Sequence, residues 1–246
     1  MYLKLIPLFI FAFTTFLAAE IKQEPEIEFT RISYEALKKD PNKEFVHFLK
    51  GYEGHPVILM HLKNFPRDKK IHLSAQRLLF SKEDCRLYEF VLEKSINDSM
   101  FLYTWCFLPG EYAKINFKSE DNEFKYSTTY IPNPIQLKNE EGRVLLSAEL
   151  SLSTPKMDVY DITLNEAKAK EKLMIRSVSE DEVAEYPIEY MKGNAIRVVP
   201  GVCKKKGGIS QFTVTRESGE KLSLNLPWGS ELYKYKDGKE IFDVGN

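Results

Sequence analysis

A basic, glycine-rich stretch near the end of the chain, Pro200–Arg216, has residue types that could bind phosphate or activate a thiol. It reads PGVCKKKGGISQFTVTR. A Walker-type phosphate loop places four residues between its first glycine and a Gly-Lys-Ser/Thr triplet, so that backbone amides and the lysine surround the phosphates. Here five residues separate Gly201 from Gly207, and Gly208-Ile209-Ser210 follows in place of that triplet. The spacing therefore does not predict a phosphate loop.

The sequence instead predicts a solvated loop between two strands, because the runs on both sides are strand-like. Its three lysines, Lys204, Lys205 and Lys206, make it a candidate binding surface, and the glycine pair that follows would supply positive φ angles at a turn. Cys203 would have a lowered thiol pKa beside these lysines if it were exposed. No histidine is near it in sequence, and cysteines at strand ends are usually buried. We therefore expect an unreactive thiol.

Histidine is scarce, and its positions do not predict a catalytic or metal centre. The chain contains His47, His55, His61 and His72. No HExxH motif occurs, and no pair has the spacing of a helix or turn metal site. His61 and His72 fall on two predicted strands that could be neighbours, and either could serve as the base of a hydrolase.

Serine and carboxylate patterns are equally uninformative. The Gly-x-Ser-x-Gly elbow of serine hydrolases is absent. The acidic run Glu180-Asp181-Glu182 lacks the alternating oxygen ligands of a calcium loop and is predicted to be a solvated turn. The sequence thus predicts neither a catalytic residue, a metal site nor a cofactor.

The N-terminus has the pattern of a secretory signal peptide. Lys4 precedes the apolar run Leu5–Leu17, and two alanines precede the polar Glu20. This order of charge, apolar core and small residues predicts a leader over residues 1–19, cleaved after Ala19. An uncleaved anchor is the alternative, but a membrane span needs about 20 apolar residues. We expect a periplasmic or secreted protein without a membrane span after cleavage.

Composition fits a folded protein with no attraction to polyanions. The chain has 246 residues, 43% of them hydrophobic, and a formal net charge of -1. A near-neutral chain has no bulk attraction to nucleic acid or anionic lipid, so neither is an expected partner.

Cys85 and Cys106 are the candidate disulfide pair, since both fall on predicted strands of the first half. Buried, unbonded thiols are the alternative.

The elements that would position these residues are mainly β-strands. The acidic stretch Ile21–Phe29 is predicted to be a tether or an edge strand. The segment Phe29–Gly54 is expected to be the main helical region, with Asp40 as a cap and Pro41 at the first helical position. Short apolar or alternating runs separated by turn residues then predict strands. Pro132 and Pro134 mark a predicted linker. The predicted domains are residues 20–131, β-rich with a helix, and residues 135–246.

The second predicted domain resembles bacterial exported immunoglobulin-like or fibronectin type III-like β-sandwich modules. The resemblance rests on the alternation from about Ile135 onward, on the run E-K-L-x-I-R-S at Glu171–Ser177 and on G-G-x-x-x-F-T-V-T at Gly207–Thr215. It implies two tandem β-sandwich domains. A hairpin at the end of the chain, turning at Asp237-Gly238, would expose Tyr233 and Tyr235.

Together these patterns predict an exported, non-enzymatic protein that binds another protein or an envelope component. The expected binding surface is a loop or an exposed sheet edge, with the three-lysine loop, Tyr233 and Tyr235 as candidates. Two alternatives remain open. One is an extracytoplasmic hydrolase whose site lies between the domains, and the other is a sandwich that binds a small ligand or lipid.

Overall fold

The computed structural model describes residues 24–33, 36, 39, 57–79, 90–92, 99–103, 107–191 and 193–234. Several predicted features lie outside these ranges: the leader, the helix around Asp40–Gly54, Cys85, Cys106 and Tyr235. They remain predictions from the sequence.

The described chain is mainly β, as the sequence predicts. Its strands are β1 (Glu26–Ile32), β2 (Val57–Lys63), β3 (Ile71–Arg77), β4 (Phe90–Leu92), β5 (Ser99–Tyr103), β6 (Ala113–Ser119), β7 (Lys125–Tyr130), β8 (Ile135–Lys138), β9 (Val144–Thr154), β10 (Met157–Leu164), β11 (Glu171–Ser179), β12 (Glu182–Tyr190), β13 (Ile196–Val198), β14 (Gly207–Thr215) and β15 (Lys221–Gly229). A short helix, α1 (Ser230–Lys234), follows the last strand. Within the described ranges, no helix has the length and apolar character that a membrane crossing requires.

The strands form because apolar residues recur at every second position, which places them on one face of a pleated strand. In β3, Ile71, Leu73 and Ala75 are buried, while the residues between them are partly exposed. β11 shows the same alternation from Glu171 to Arg176. Burying such faces requires a second layer, which the other strands supply.

The strands from β1 to β7 form two antiparallel sheets that share one hydrophobic core. The sheet orders are β1-β2-β5 and β4-β3-β6-β7. Their inward residues, such as Met60 of β2 and Phe117 of β6, belong to a single buried cluster, the first core. Phe29 of β1 and Tyr130 of β7 stack across the two sheets with ring centroids 4.1 Å apart. This part of the chain is therefore sandwich-like.

The strands from β8 to β15 form two further antiparallel sheets around the second core. The orders are β13-β10-β9-β8 and β12-β11-β14-β15. Tyr160 and Phe212, one from each sheet, are fully buried in this core. The Tyr160 hydroxyl donates to the Pro227 carbonyl at 2.8 Å, so the largest of the fully buried side chains also bridges the sheets. β15 packs beside β8 and β9, which closes one side of this pair of sheets.

The turn before β6 joins the two cores. Leu108 is buried in the second core although it precedes β6 of the first. The Gly110 carbonyl accepts a hydrogen bond from the backbone N–H of Leu150 at 2.9 Å. Burial and a hydrogen bond to Glu149 raise the pKa of the Tyr112 phenol to about 12. These contacts tie the turn to β9.

The structure refines several local predictions. β1 contains the end of the acidic stretch and is an edge strand, but it continues through Ile32, so the expectation of a helical region from Phe29 onward is wrong for these residues. β8 begins at Ile135, directly after Pro134 of the predicted linker. The hairpin strand predicted around Tyr233 is wrong, since Ser230–Lys234 forms α1 and Leu232 is fully buried in the second core.

Candidate binding surface

The three-lysine loop lies where the chain crosses from one sheet of the second core to the other. It connects β13 to β14, and Lys204, Lys205 and Lys206 are all exposed, as the sequence predicts. The Lys205 Nζ atom lies 2.9 Å from an Oε atom of Glu180, and this bond raises the pKa of Lys205. One of the three charges is therefore compensated by the acidic turn that precedes β12.

The glycine pair after this loop serves a different purpose from the one predicted. The positive φ angle belongs to Lys204, at 66°, while Gly207 and Gly208 begin strand β14. A Cβ atom on Gly207 would clash with the backbone nitrogen of Ser230, and one on Gly208 would lie 3.0 Å from the Trp228 ring. These glycines therefore allow close packing, because they lack a side chain.

The structure brings the loop next to the segment that contains Tyr233. The backbone N–H of Ser230, the first residue of α1, donates to the Lys206 carbonyl at 2.9 Å. Tyr233 lies in this helix, and Tyr235 falls outside the described residues. Cys203 is exposed, contrary to the expectation of a buried thiol, because it lies in the loop and not in a strand.

The two histidines do not face each other. His61 lies on β2 and His72 on β3, and these strands belong to different sheets. Each histidine occupies a position between inward-facing residues, so both side chains lie on outer faces. His72 Nε2 is 3.8 Å from a carboxylate oxygen of Glu120. The predicted juxtaposition fails because β3 begins the second sheet and does not pair with β2.

His61 borders a surface cleft of about 600 Å³. The cleft is lined by Glu26, His61, Leu62, Lys63, Asn64, Phe65 and Arg67. This lining contains no hydroxyl or thiol nucleophile, and most of it is polar, unlike a lipid pocket. Among the described residues, no group of His, Cys, Asp and Glu side chains has an arrangement suited to a metal ion.

The edge strand β12 differs from the other strand edges in its exposure. Among the described strands it pairs only with β11. All residues from Glu182 to Pro187 are exposed, so both faces of the strand are uncovered along this length. In the edge strands β1 and β7, by contrast, exposed positions mostly alternate with partly buried ones.

One end of β12 is anchored to the second core and the other end is not. Tyr190 is buried, and its hydroxyl donates to the Leu164 carbonyl of β10 at 3.2 Å. Ile188 packs against the second core. Tyr186 is on the same face of the strand but is 40% exposed. The edge strand of the opposite sheet, β13, is only three residues long.

Exposed apolar side chains concentrate near this edge. Nine large apolar side chains are exposed among the described residues, and four of them lie on β11, on β12 or directly after β12. These four are Met174, Val183, Tyr186 and Met191. Met174 and Val183 lie on one face of the sheet and Tyr186 on the other. The feature that could pair with another chain is therefore the row of unpaired backbone groups along the edge.

Sequence reasoning named an exposed sheet edge as one kind of surface but did not identify β12. The strand carries Glu182, Glu185 and Glu189, and Pro187 stands within it. Charges and proline are signals of an edge strand, because they oppose uncontrolled pairing. Those signals were present in the sequence, whereas the position of β12 at the end of its sheet depends on the tertiary fold.

Comparison with known proteins does not assign the chain to a family. No protein-family model matches it, and no curated protein sequence is similar to it.

Proposed function

We propose that this chain is an exported, non-enzymatic binding protein built from two immunoglobulin-like β-sandwich modules. Each hydrophobic core would correspond to one module, with the turn around Gly110 joining them. The three-lysine loop, Tyr233 and Tyr235 remain candidate contacts on one side of the second module. The leader predicted over residues 1–19 supports a periplasmic or secreted location.

The binding surface in this proposal is the free edge of β12. The observation that carries it is the exposure of both faces of the strand from Glu182 to Pro187. A free edge presents backbone N–H and C=O groups that can pair with an extended segment of a partner, and side chains on both faces then provide specificity. The partner would be a protein or a protein component of the envelope.

A crosslinking pull-down from envelope extracts of the source cell tests this proposal. The bait is the chain from Glu20 to Asn246, compared with its Glu185→Pro and Glu185→Ala variants. Both variants remove the carboxylate, but only proline also removes the backbone N–H. We expect Glu185→Pro to lose capture of a saturable partner and Glu185→Ala to retain more of it.

Two controls separate the possible outcomes. Circular dichroism and thermal unfolding must show that each bait is folded. Replacing Lys204, Lys205 and Lys206 together by alanine tests the loop instead of the edge. Equal capture of the partner by both Glu185 variants and by the unmodified chain would exclude β12 as the binding surface. If a folded bait captures no partner, the hydrolase and small-ligand alternatives gain support. Substitution of His61 and His72 with an activity assay would then be the next step.

A further inference from the structure

We infer that the segment received by β12 is an extended strand in which basic and apolar residues alternate. This inference rests on the proposed binding function of the β12 edge and adds the chemical class of the partner. It follows from the orientation of the β12 backbone, from the charge on one face of the strand and from the apolar character of the other face.

The proline in β12 fixes which backbone groups point outward. Pro187 pairs in register with Met174 of β11. Because proline has no N–H, it fits an edge strand only where its nitrogen faces away from the neighbouring strand. Residues at even spacing from Pro187, namely Val183, Glu185 and Glu189, therefore turn their N–H and C=O groups toward the free side. A partner strand would pair with these residues.

The outer face of this edge is acidic. Glu185 and Glu189 share the face of Val183, since side chains alternate along a strand. No lysine or arginine occurs between Ser177 and Met191, a stretch that contains five acidic residues. On the β11 side, Arg176 and Lys172 stand in register opposite Glu185 and Glu189. The Arg176 guanidinium lies 3.7 Å from Glu185. All four side chains are exposed to solvent, and ion pairs between exposed side chains contribute little, so the side of each glutamate that faces away from β11 can accept a second basic side chain. Basic side chains directly opposite Glu185 and Glu189 would be favourable.

The inner face of the edge is apolar at the exposed Ala184 and Tyr186, with Glu182 at its far end. Ala184, Tyr186 and Ile188 alternate with the outward residues, and Tyr186 is paired in register with the buried Ile175. A partner strand would place its own inner side chains beside Tyr186, over the open side of the second core. Apolar side chains there would be removed from water together with Tyr186.

The same features disfavour a second copy of this chain as the occupant. If β12 paired with β12 of another copy, glutamates of both strands would share one face, and like charges opposite each other are destabilising. Two prolines would also remove outward donors from the same short ladder. In an extended segment of another protein, basic side chains would lie beside the glutamates of the outer face and apolar side chains beside Tyr186 on the inner face.

Synthetic peptides test this inference directly. The first probe is Val-Lys-Val-Thr-Val-Lys-Val with Gly-Ser tails, whose lysines have the same spacing as Glu185 and Glu189. The matched probe has glutamate in place of both lysines. Fluorescence anisotropy at low salt should show the lysine peptide binding about tenfold more tightly, corresponding to two opposite-charge pairs instead of two like-charge pairs. Its binding should weaken as salt increases.

A charge swap makes the assignment specific to β12. In the double variant Glu185→Lys with Glu189→Lys, the preference should reverse toward the glutamate peptide. A matched variant, Glu140→Lys with Glu141→Lys, changes exposed charges elsewhere and should leave the preference unchanged.

Equal affinity for both peptides, binding of neither, or an unchanged preference in the β12 double variant would each overturn the inference. The proposed function is judged separately by the capture experiment with Glu185→Pro. A partner lost with that variant, combined with no charge preference among the peptides, would keep the binding function and reject the basic partner class.

Discussion

The side chains of Arg77 and Glu111 form a bidentate ion pair inside the protein. The Arg77 Nε atom lies 2.7 and 2.9 Å from the two carboxylate oxygens of Glu111, and Nη2 lies 2.7 Å from one of them. The backbone N–H of Leu108 donates to the same carboxylate at 2.9 Å. Glu111 is fully buried. The pair thus connects the end of β3 to the turn that joins the two cores.

Breaking this pair should destabilise the protein strongly. Burial raises the pKa of Glu111, and the Arg77 guanidinium and the Leu108 N–H act in the opposite direction. Glu111→Gln would remove the carboxylate that the Arg77 guanidinium contacts, and removing one member of a buried ion pair typically costs about 3–5 kcal/mol. Urea unfolding measures the change. The control Glu141→Gln, which affects an ion pair that is mostly exposed, should cost less than about 1 kcal/mol. Similar decreases in the free energy of unfolding in both variants would show that the buried ion pair contributes little to stability.

Adding a methyl group at Gly110 should loosen the connection between the cores. Gly110 has a φ angle of 75°, and a Cβ atom there would lie 3.1 Å from both the Ala148 carbonyl oxygen and the Leu150 nitrogen. Gly142 has a φ angle of 79° with no atom within 4 Å of the same position. Both Gly→Ala variants bear the cost of a left-handed conformation, about 1 kcal/mol. Only Gly110→Ala should lower the free energy of unfolding by more than this, as measured by urea unfolding. Equal decreases in the two variants would contradict close packing of Gly110 against β9.

The sequence predicts the strands well wherever a buried face alternates with an exposed one. β3 and β11 show this pattern because each lies between two other strands and over a core. β12 does not, since Glu182–Pro187 is exposed on both faces, so periodicity carries little information about its inner side. Its free edge depends on the strand order of its sheet, in which β12 pairs only with β11 among the described strands.

The end of the chain shows how tertiary contacts override local patterns. The run around Tyr233 has the composition of a strand, yet Ser230–Lys234 is helical. The backbone N–H of Ser230 bonds to the Lys206 carbonyl, and Leu232 is buried in the second core. Both contacts join segments that are distant in sequence, so no local signal identifies them. The positive φ angles predicted at Gly207 and Gly208 are wrong for the same reason, because both residues pair with β15, opposite Gly229 and Trp228, at the start of β14.

Thiol titration should distinguish the state of the three cysteines. Cys203 is exposed and should react with a thiol reagent in the folded protein. If Cys85 and Cys106 are bonded as predicted, the oxidised chain should still show one reactive thiol after denaturation, and all three after reduction. Cys203→Ser should abolish the reaction before reduction. Three thiols in the denatured, unreduced chain would establish that Cys85 and Cys106 are unbonded.

Low pH should weaken the ion pair between Glu171 and Arg216. This ion pair connects the first residue of β11 to the residue that follows β14. The Glu171 carboxylate accepts from Arg216 Nε at 2.8 Å and from the Lys168 N–H at 3.0 Å, and the Glu171 side chain is 5% exposed. The hydrogen bond from Arg216 holds the pKa of Glu171 below its ordinary value.

A lowered pKa in the folded state means that Glu171 stabilises the protein above its unfolded pKa of about 4.3. This stabilisation is lost as the pH falls through the lower, folded-state pKa. Glu171→Gln should therefore reduce the free energy of unfolding by about 2 kcal/mol at pH 7, the contribution of a hydrogen bond to a charged group. The difference in the free energy of unfolding between Glu171→Gln and the unmodified chain should decrease when urea unfolding is repeated at pH values from 5 down to 3. Glu141→Gln controls for the loss of one carboxylate. A difference in the free energy of unfolding that stays constant with pH would contradict a charged contact at Glu171.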